Sequence, residues 1–90
     1  MLQTITLTIK GKVQGVNFRA AAKKKAEELA ITGQAKNLVD GDVEITATGT
    51  EVALHALMAW CKVGPPLARV DDVVVAIRGL QTFRNFAIKR

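Results

Sequence analysis

Isoleucine and leucine alternate with threonine through Thr4-Ile5-Thr6-Leu7-Thr8-Ile9. That period of two belongs to a strand with one buried face, so the pattern predicts a strand over residues 2–10. The spacing then changes. Phe18, Ala22, Ala26 and Leu29 recur every three or four residues with lysines and glutamates between them, which predicts an amphipathic helix over residues 18–29. Asn17 stands where a helix cap is wanted, because its side-chain oxygen can accept from the first free amides. Two short alternating runs follow, residues 34–39 and 42–48, separated by Asp40-Gly41, the strongest hairpin signal in the chain. In the second run Val43, Ile45 and Ala47 share one face. In the first, the same parity groups Asn37 with Ala35 and Val39. A carboxamide among apolar neighbours is either a hydrogen-bonded structural residue or one presented to a ligand.

Thr50 as cap and Glu51 in the first turn open a second helix over residues 51–62, with Ala53, Leu57 and Trp60 in line and Leu54, Met58 and Cys61 widening the apolar face. Trp60 reads as a core anchor and His55 as a residue of the helix edge. Gly64-Pro65-Pro66 ends the helix. Residues 70–77 read as a strand and residues 84–89 as a short last strand at a sheet edge. The order is βαββαβ plus a short C-terminal strand. It predicts an α+β, ferredoxin-like split βαβ fold, an antiparallel sheet with two helices on one face, as a single domain over residues 1–90. The other face of the sheet would carry Thr4, Thr6, Thr8, Glu44 and Thr46.

Composition narrows the function more than the fold. Ninety residues, 49% of them hydrophobic, suffice for one small core. One cysteine, Cys61, excludes an internal disulfide, and with one histidine, His55, it also excludes a His/Cys zinc site of ordinary ligand number. The chain has no apolar run of membrane-spanning length and no basic-then-apolar leader, so a cytoplasmic protein is expected. A net charge of +5 admits small anions, nucleic acid and anionic surfaces as partners. The one run of charge, Lys23-Lys24-Lys25, is followed by Glu27 and Glu28 at helical spacing and reads as a solvated helix face.

The stretch with the most chemistry is Gly11-Lys12-Val13-Gln14-Gly15-Val16-Asn17-Phe18-Arg19. A glycine-bearing turn feeding a helix leaves several backbone amides without intrahelical partners, at the positive end of the helix dipole. Arg19 falls in the first turn, where a cation opposes that dipole. A bound anion removes the conflict, so the local irregularity points to a phosphate or carboxylate cradle. It is not a Walker-type loop, since no Gly-Lys-Ser/Thr follows at the required distance.

Gly11 to Arg19 resembles the first signature of the acylphosphatase family, G-x-V-Q-G-V-x-[FY]-R. Gly33 to Glu44 is similar to the second, in which an aromatic-Val-Lys/Arg-Asn run precedes an acidic-Gly turn. Gly64 to Val70 and Phe86 to Arg90 resemble two further shared segments, so the likeness runs through nearly the whole chain in order. The resemblance implies hydrolysis of the carboxyl–phosphate bond of acyl phosphates, such as acetyl phosphate, carbamoyl phosphate or bisphosphoglycerate. It also implies site residues. Arg19 matches the family's phosphate-binding catalytic arginine. Asn37 matches the asparagine that holds the attacking water. The backbone amides of Gln14, Gly15, Val16, Asn17 and Phe18 would share the phosphate. No metal or cofactor is implied, inorganic phosphate is expected as a product inhibitor, and a monomer is expected, with no nucleic-acid or membrane partner. Three departures stand out: Gln34 replaces an aromatic, Ala35 is smaller than the common valine, and Ala30 stands where the family usually has glycine. If position 30 needs a left-handed backbone, alanine there costs about 1 kcal/mol.

Two other readings compete. Sheets of this class that bind single-stranded RNA stack bases on aromatics, whereas the outward positions here are Thr, Asp and Glu and there is no tyrosine. A non-catalytic anion-binding module that docks an acyl phosphate for another protein would keep the cradle. Turnover of an acyl phosphate separates it from an enzyme.

Overall fold

The structure, a computed structural model, describes residues 1–89. The Thr/Ile alternation becomes β1 (Leu2–Lys12), followed by α1 (Phe18–Glu28), β2 (Thr32–Asn37), β3 (Val43–Thr50), α2 (Glu51–Cys61), β4 (Arg69–Arg78) and β5 (Phe86–Lys89). The five strands form one sheet in the order β4-β1-β3-β2-β5. Pairing is antiparallel from β4 through β2, as expected, but β5 adds parallel to β2. The sheet is therefore mixed. Four residues of terminal strand carry no signal of direction. Direction follows from the chain having to cross from the β4 edge to the opposite edge before it can pair.

Helix α1 lies over β2 and β5, and α2 over β1 and β3. Between them and the sheet sit Leu7, Ile9, Ala35, Val43, Ile45, Leu57 and Cys61, all fully buried. This is the face the alternation marked. β4 is an edge strand, and Val74, Val75 and Ile77 remain substantially exposed although their spacing matches a strand. The opposite face is less open than its threonines suggested. Thr4 and Thr48 lie opposite each other in register with their hydroxyls 2.6 Å apart. Thr48 Oγ1 donates to the Gln81 carbonyl at 2.7 Å, and the Gln81 amide donates back to Thr4 Oγ1 at 2.9 Å. The β4–β5 connection thus crosses this face and buries Thr4 and Thr48 beneath it.

Helix ends follow capping rules at three of four places. Thr50 Oγ1 accepts from the Ala53 amide at 3.2 Å, as its sequence position predicts. Gly64, left-handed with φ of 71°, closes the turn after α2. At the end of α1 the Ile31 amide reaches the Ala26 carbonyl at 2.8 Å and the Ala30 amide reaches that of Glu27 at 3.2 Å, a Schellman arrangement. Ala30 is the left-handed residue of that motif, with φ of 57°. Alanine carries strain that glycine would avoid, so Ala30→Gly is expected to raise stability by about 0.5–1 kcal/mol in denaturant melts, with no change in slope. The fourth end departs from expectation. Asn17 is the cap residue of α1 by position, but its backbone is left-handed, φ 65° and ψ 26°, and its side chain makes no capping hydrogen bond. Val39, expected in a strand, lies beyond β2 in the turn and is fully exposed.

Candidate active site

The chain between β1 and α1 turns twice through the left-handed region, at Gly15 (φ 73°) and at Asn17 (φ 65°). Asparagine tolerates that conformation better than most residues, and glycine adopts it freely. Such a path curls successive amides toward one point, the geometry of an anion-binding nest. Within residues 1–89, no acceptor is paired with the amides of residues 14–17, and the first helical bond of α1 is Ala21 N–H to the Asn17 carbonyl at 3.1 Å. Buried Val16 and Phe18 hold the loop down from beneath. The Phe18 ring meets Trp60 edge to face, centroids 5.4 Å apart, which fixes the start of α1 against α2. Trp60 is thus an anchor, though half-buried at the rim of the core.

Above this loop is an open cleft of about 440 Å³. Gly15, Asn17, Phe18, Arg19 and Asn37 all line it, so five of the seven site residues expected from the sequence meet there. Gln14 and Val16 do not: Val16 is buried under the loop, and the Gln14 side chain turns toward the β2–β3 turn. Asn37 enters because β2 pairs with β3 at Asn37↔Val43, which puts its side chain on the helix face of the sheet, next to the start of α1. Among the described residues its carboxamide has no protein hydrogen bond. Of the two readings open for a carboxamide in this pattern, this arrangement favours presentation over internal satisfaction.

Arg19 is half-buried, and its guanidinium Nη1 donates to the Lys89 carbonyl at 2.8 Å. β5 therefore contributes a tether for the arginine and, through Ile88, part of the cleft wall. The residue pattern of 84–89 predicts only an edge strand. It carries no hint of a main-chain acceptor, since every residue has one. Outside the cleft lining, the Lys10 ammonium meets the Asp42 carboxylate at 2.7 Å. That hydrogen bond, and then the charge of Asp42, raise the Lys10 pKa above its usual value. Cys61 lies away from the cleft under α2, where burial pushes its thiol pKa up to about 12. It stays protonated at neutral pH and supplies no nucleophile.

A family model described as Acylphosphatase matches residues 5–88. The chain belongs to the acylphosphatase family. It is 45% identical to an acylphosphatase of Methylococcus capsulatus, with 99% of this chain and 98% of the relative covered. Among solved structures, the acylphosphatase from Coxiella burnetii superposes with a TM-score of 0.95 at 41% identity, covering 98% of this chain and 93% of that one. The Bacillus subtilis acylphosphatase gives 0.94 at 36% identity over the full length of both chains. The general activity of the family is hydrolysis of acyl phosphates, and this member is a hydrolase of that kind. Among the described residues, no helix is long and apolar enough to cross a membrane.

Proposed function

We propose that Arg19 and the amides of residues 14–18 hold the phosphoryl group of an acyl phosphate while Asn37 aims a water molecule at phosphorus. The observation that carries this reading is the convergence of Arg19 and Asn37, eighteen positions apart in the chain, on one cleft floored by unpaired amides. Water oxygen forms the new bond to phosphorus as the bond to the acyl oxygen breaks. The carboxylate leaves with the electron pair, and the proton of the water passes to a phosphoryl oxygen. A carboxylate is weakly basic and needs little help in leaving, so a site without a general acid suffices. What phosphoryl transfer demands is positioning and stabilisation of charge on the equatorial oxygens. A guanidinium fork and a nest of amides supply both.

Asparagine has no titratable base, so on this reading the substrate's own phosphate takes the proton and no metal takes part. One chain holds the whole cleft, which fits a catalytic monomer. Benzoyl phosphate, whose hydrolysis is followed by absorbance, provides the test. Asn37→Ala is expected to lower kcat roughly 100-fold, the usual effect of losing one well-placed positioning group. Inorganic phosphate should inhibit wild type and variant competitively with similar constants, because Asn37 holds water rather than phosphate. Hydrolysis that survives chelation but falls by about that factor in this variant supports the proposal. Wild-type turnover in a folded Asn37→Ala removes it.

A further inference from the structure

The cradle and the asparagine belong to different parts of the chain, and beyond the ends of their strands few hydrogen bonds join the segments that carry them. Pairing of β1 with β3 ends at Ile9↔Val43, and pairing of β2 with β3 ends at Asn37↔Val43. The loop of residues 13–17 and the turn of residues 38–42 therefore both overhang the end of the sheet. No backbone hydrogen bond joins them among the described residues. One side chain does, that of Gln14, whose Nε2 donates to the Leu38 carbonyl at 2.7 Å and to the Asp42 carbonyl at 2.9 Å. The partly solvated Lys10–Asp42 ion pair ties the same turn to β1 rather than to the loop.

Those two carbonyls also close the turn itself. The Leu38 amide donates to Asp42 O at 2.8 Å, and the Gly41 amide donates to Leu38 O at 3.2 Å. A carbonyl oxygen has two lone pairs and an amide NH2 has two hydrogens, so each carbonyl can accept twice and both hydrogens of the Gln14 NH2 are used. Gln14 immediately precedes Gly15, where the cradle begins to curl, and Leu38 immediately follows Asn37. The Gln14 side chain is a strut between the phosphate cradle and the residue that holds the water.

We infer that Gln14 is a positioning residue: its side-chain amide sets the distance from the amide cradle to Asn37, and so the line of attack of water on the bound phosphoryl group. This rests on the site proposed above and adds to it a role distinct from the Gln14 backbone amide. The side chain does not touch substrate. Carboxylate and methionine side chains of similar length both lack the donors, because an ionised glutamate is an acceptor only and a thioether has no hydrogen to give.

The test compares wild type, Gln14→Met, Gln14→Glu, Asn37→Ala and the Gln14→Met/Asn37→Ala double variant with benzoyl phosphate, alongside the inhibition constant of inorganic phosphate and thermal unfolding. Misplacement by a fraction of an ångström should lower kcat of Gln14→Met roughly tenfold while the phosphate inhibition constant stays within about twofold. Because the strut acts through Asn37, adding Gln14→Met to Asn37→Ala should lower kcat by less than about twofold more. A purely structural role predicts otherwise, with phosphate binding weakened in step with turnover and losses that multiply in the double variant. Either result overturns the inference, as does full kcat in both folded Gln14 variants. Should Gln14→Met not fold, Gln14→Glu, alone and combined with Asn37→Ala, takes its place with the same expected kcat and inhibition constants. If instead Asn37→Ala keeps wild-type turnover, the site reading itself fails; if only the Gln14 variants keep it, the strut alone fails.

Discussion

Arg19→Gln is expected to reduce hydrolysis of benzoyl phosphate by about 1000-fold or more while leaving the chain folded, since even one preorganised donor is commonly worth roughly 100- to 1000-fold. In the proposed site the guanidinium would offer two parallel donors and a full charge to the oxygens of the phosphoryl group, and glutamine keeps neither the charge nor the fork. Stability should hardly move. The substitution gives up the bond to the Lys89 carbonyl, an exposed acceptor that water can satisfy. It also removes a cation from the first turn of α1, where the helix dipole disfavours one by a few tenths of a kcal/mol. Those terms oppose each other. Steady-state kinetics beside a thermal melt would read both, and Arg19→Lys, which restores charge without the fork, should recover only part of the loss. Residual activity within tenfold of wild type in Arg19→Gln would mean that another group holds the phosphate.

Gly33→Ala is expected to be the most damaging of the small substitutions for stability. Gly33 has φ of 147° and is buried in β2 between β3 and β5. A Cβ there would lie 1.9 Å from the Thr46 carbonyl oxygen, a main-chain atom with no flexible end to move aside. Backbone strain and overpacking each typically cost about 1–3 kcal/mol, so a loss of at least about 2 kcal/mol is expected in urea or thermal unfolding. Activity should fall too. Gly33 lies four residues before Asn37 on the same strand, and its amide holds the Asn85 carbonyl at 3.0 Å just before β5. Pushing β2 from β3 disturbs Asn37 on one side and the tether of Arg19 on the other. A melt unchanged from wild type would show that the strand accommodates the methyl group.

Much of this architecture is legible in the chain because one physical cause dominates each element. The Thr/Ile alternation of β1 reflects a sheet covered by helices on one side, and Asp40-Gly41 marks a turn between strands that the same core holds together. Thr50 caps α2 through a bond to an amide only three residues on, which its local sequence position predicts. What is not legible depends on partners far away in sequence. The direction of β5 and the cover over Thr4 and Thr48 are set by where the connection of residues 79–85 crosses the sheet. Asn17 fails to cap α1 because the preceding loop needs its backbone in the left-handed region. The same divide runs through the site. Gly15 and Arg19 announce an anion cradle locally. The pattern of β2 leaves two readings of Asn37 open until the register places it over the cleft. The Gln14 strut and the Arg19 tether use main-chain carbonyls as acceptors, which no residue pattern can reveal.

The central claim is that one anion is gripped jointly by the amides of residues 14–18 and by Arg19. A titration of the 15N-labelled protein with inorganic phosphate reads those groups individually. The backbone amides of residues 14–18 and the Arg19 side chain should shift downfield together and saturate at the concentration that half-inhibits hydrolysis. Phosphate that inhibits competitively while those signals stay still, and shifts appear elsewhere, would contradict the account.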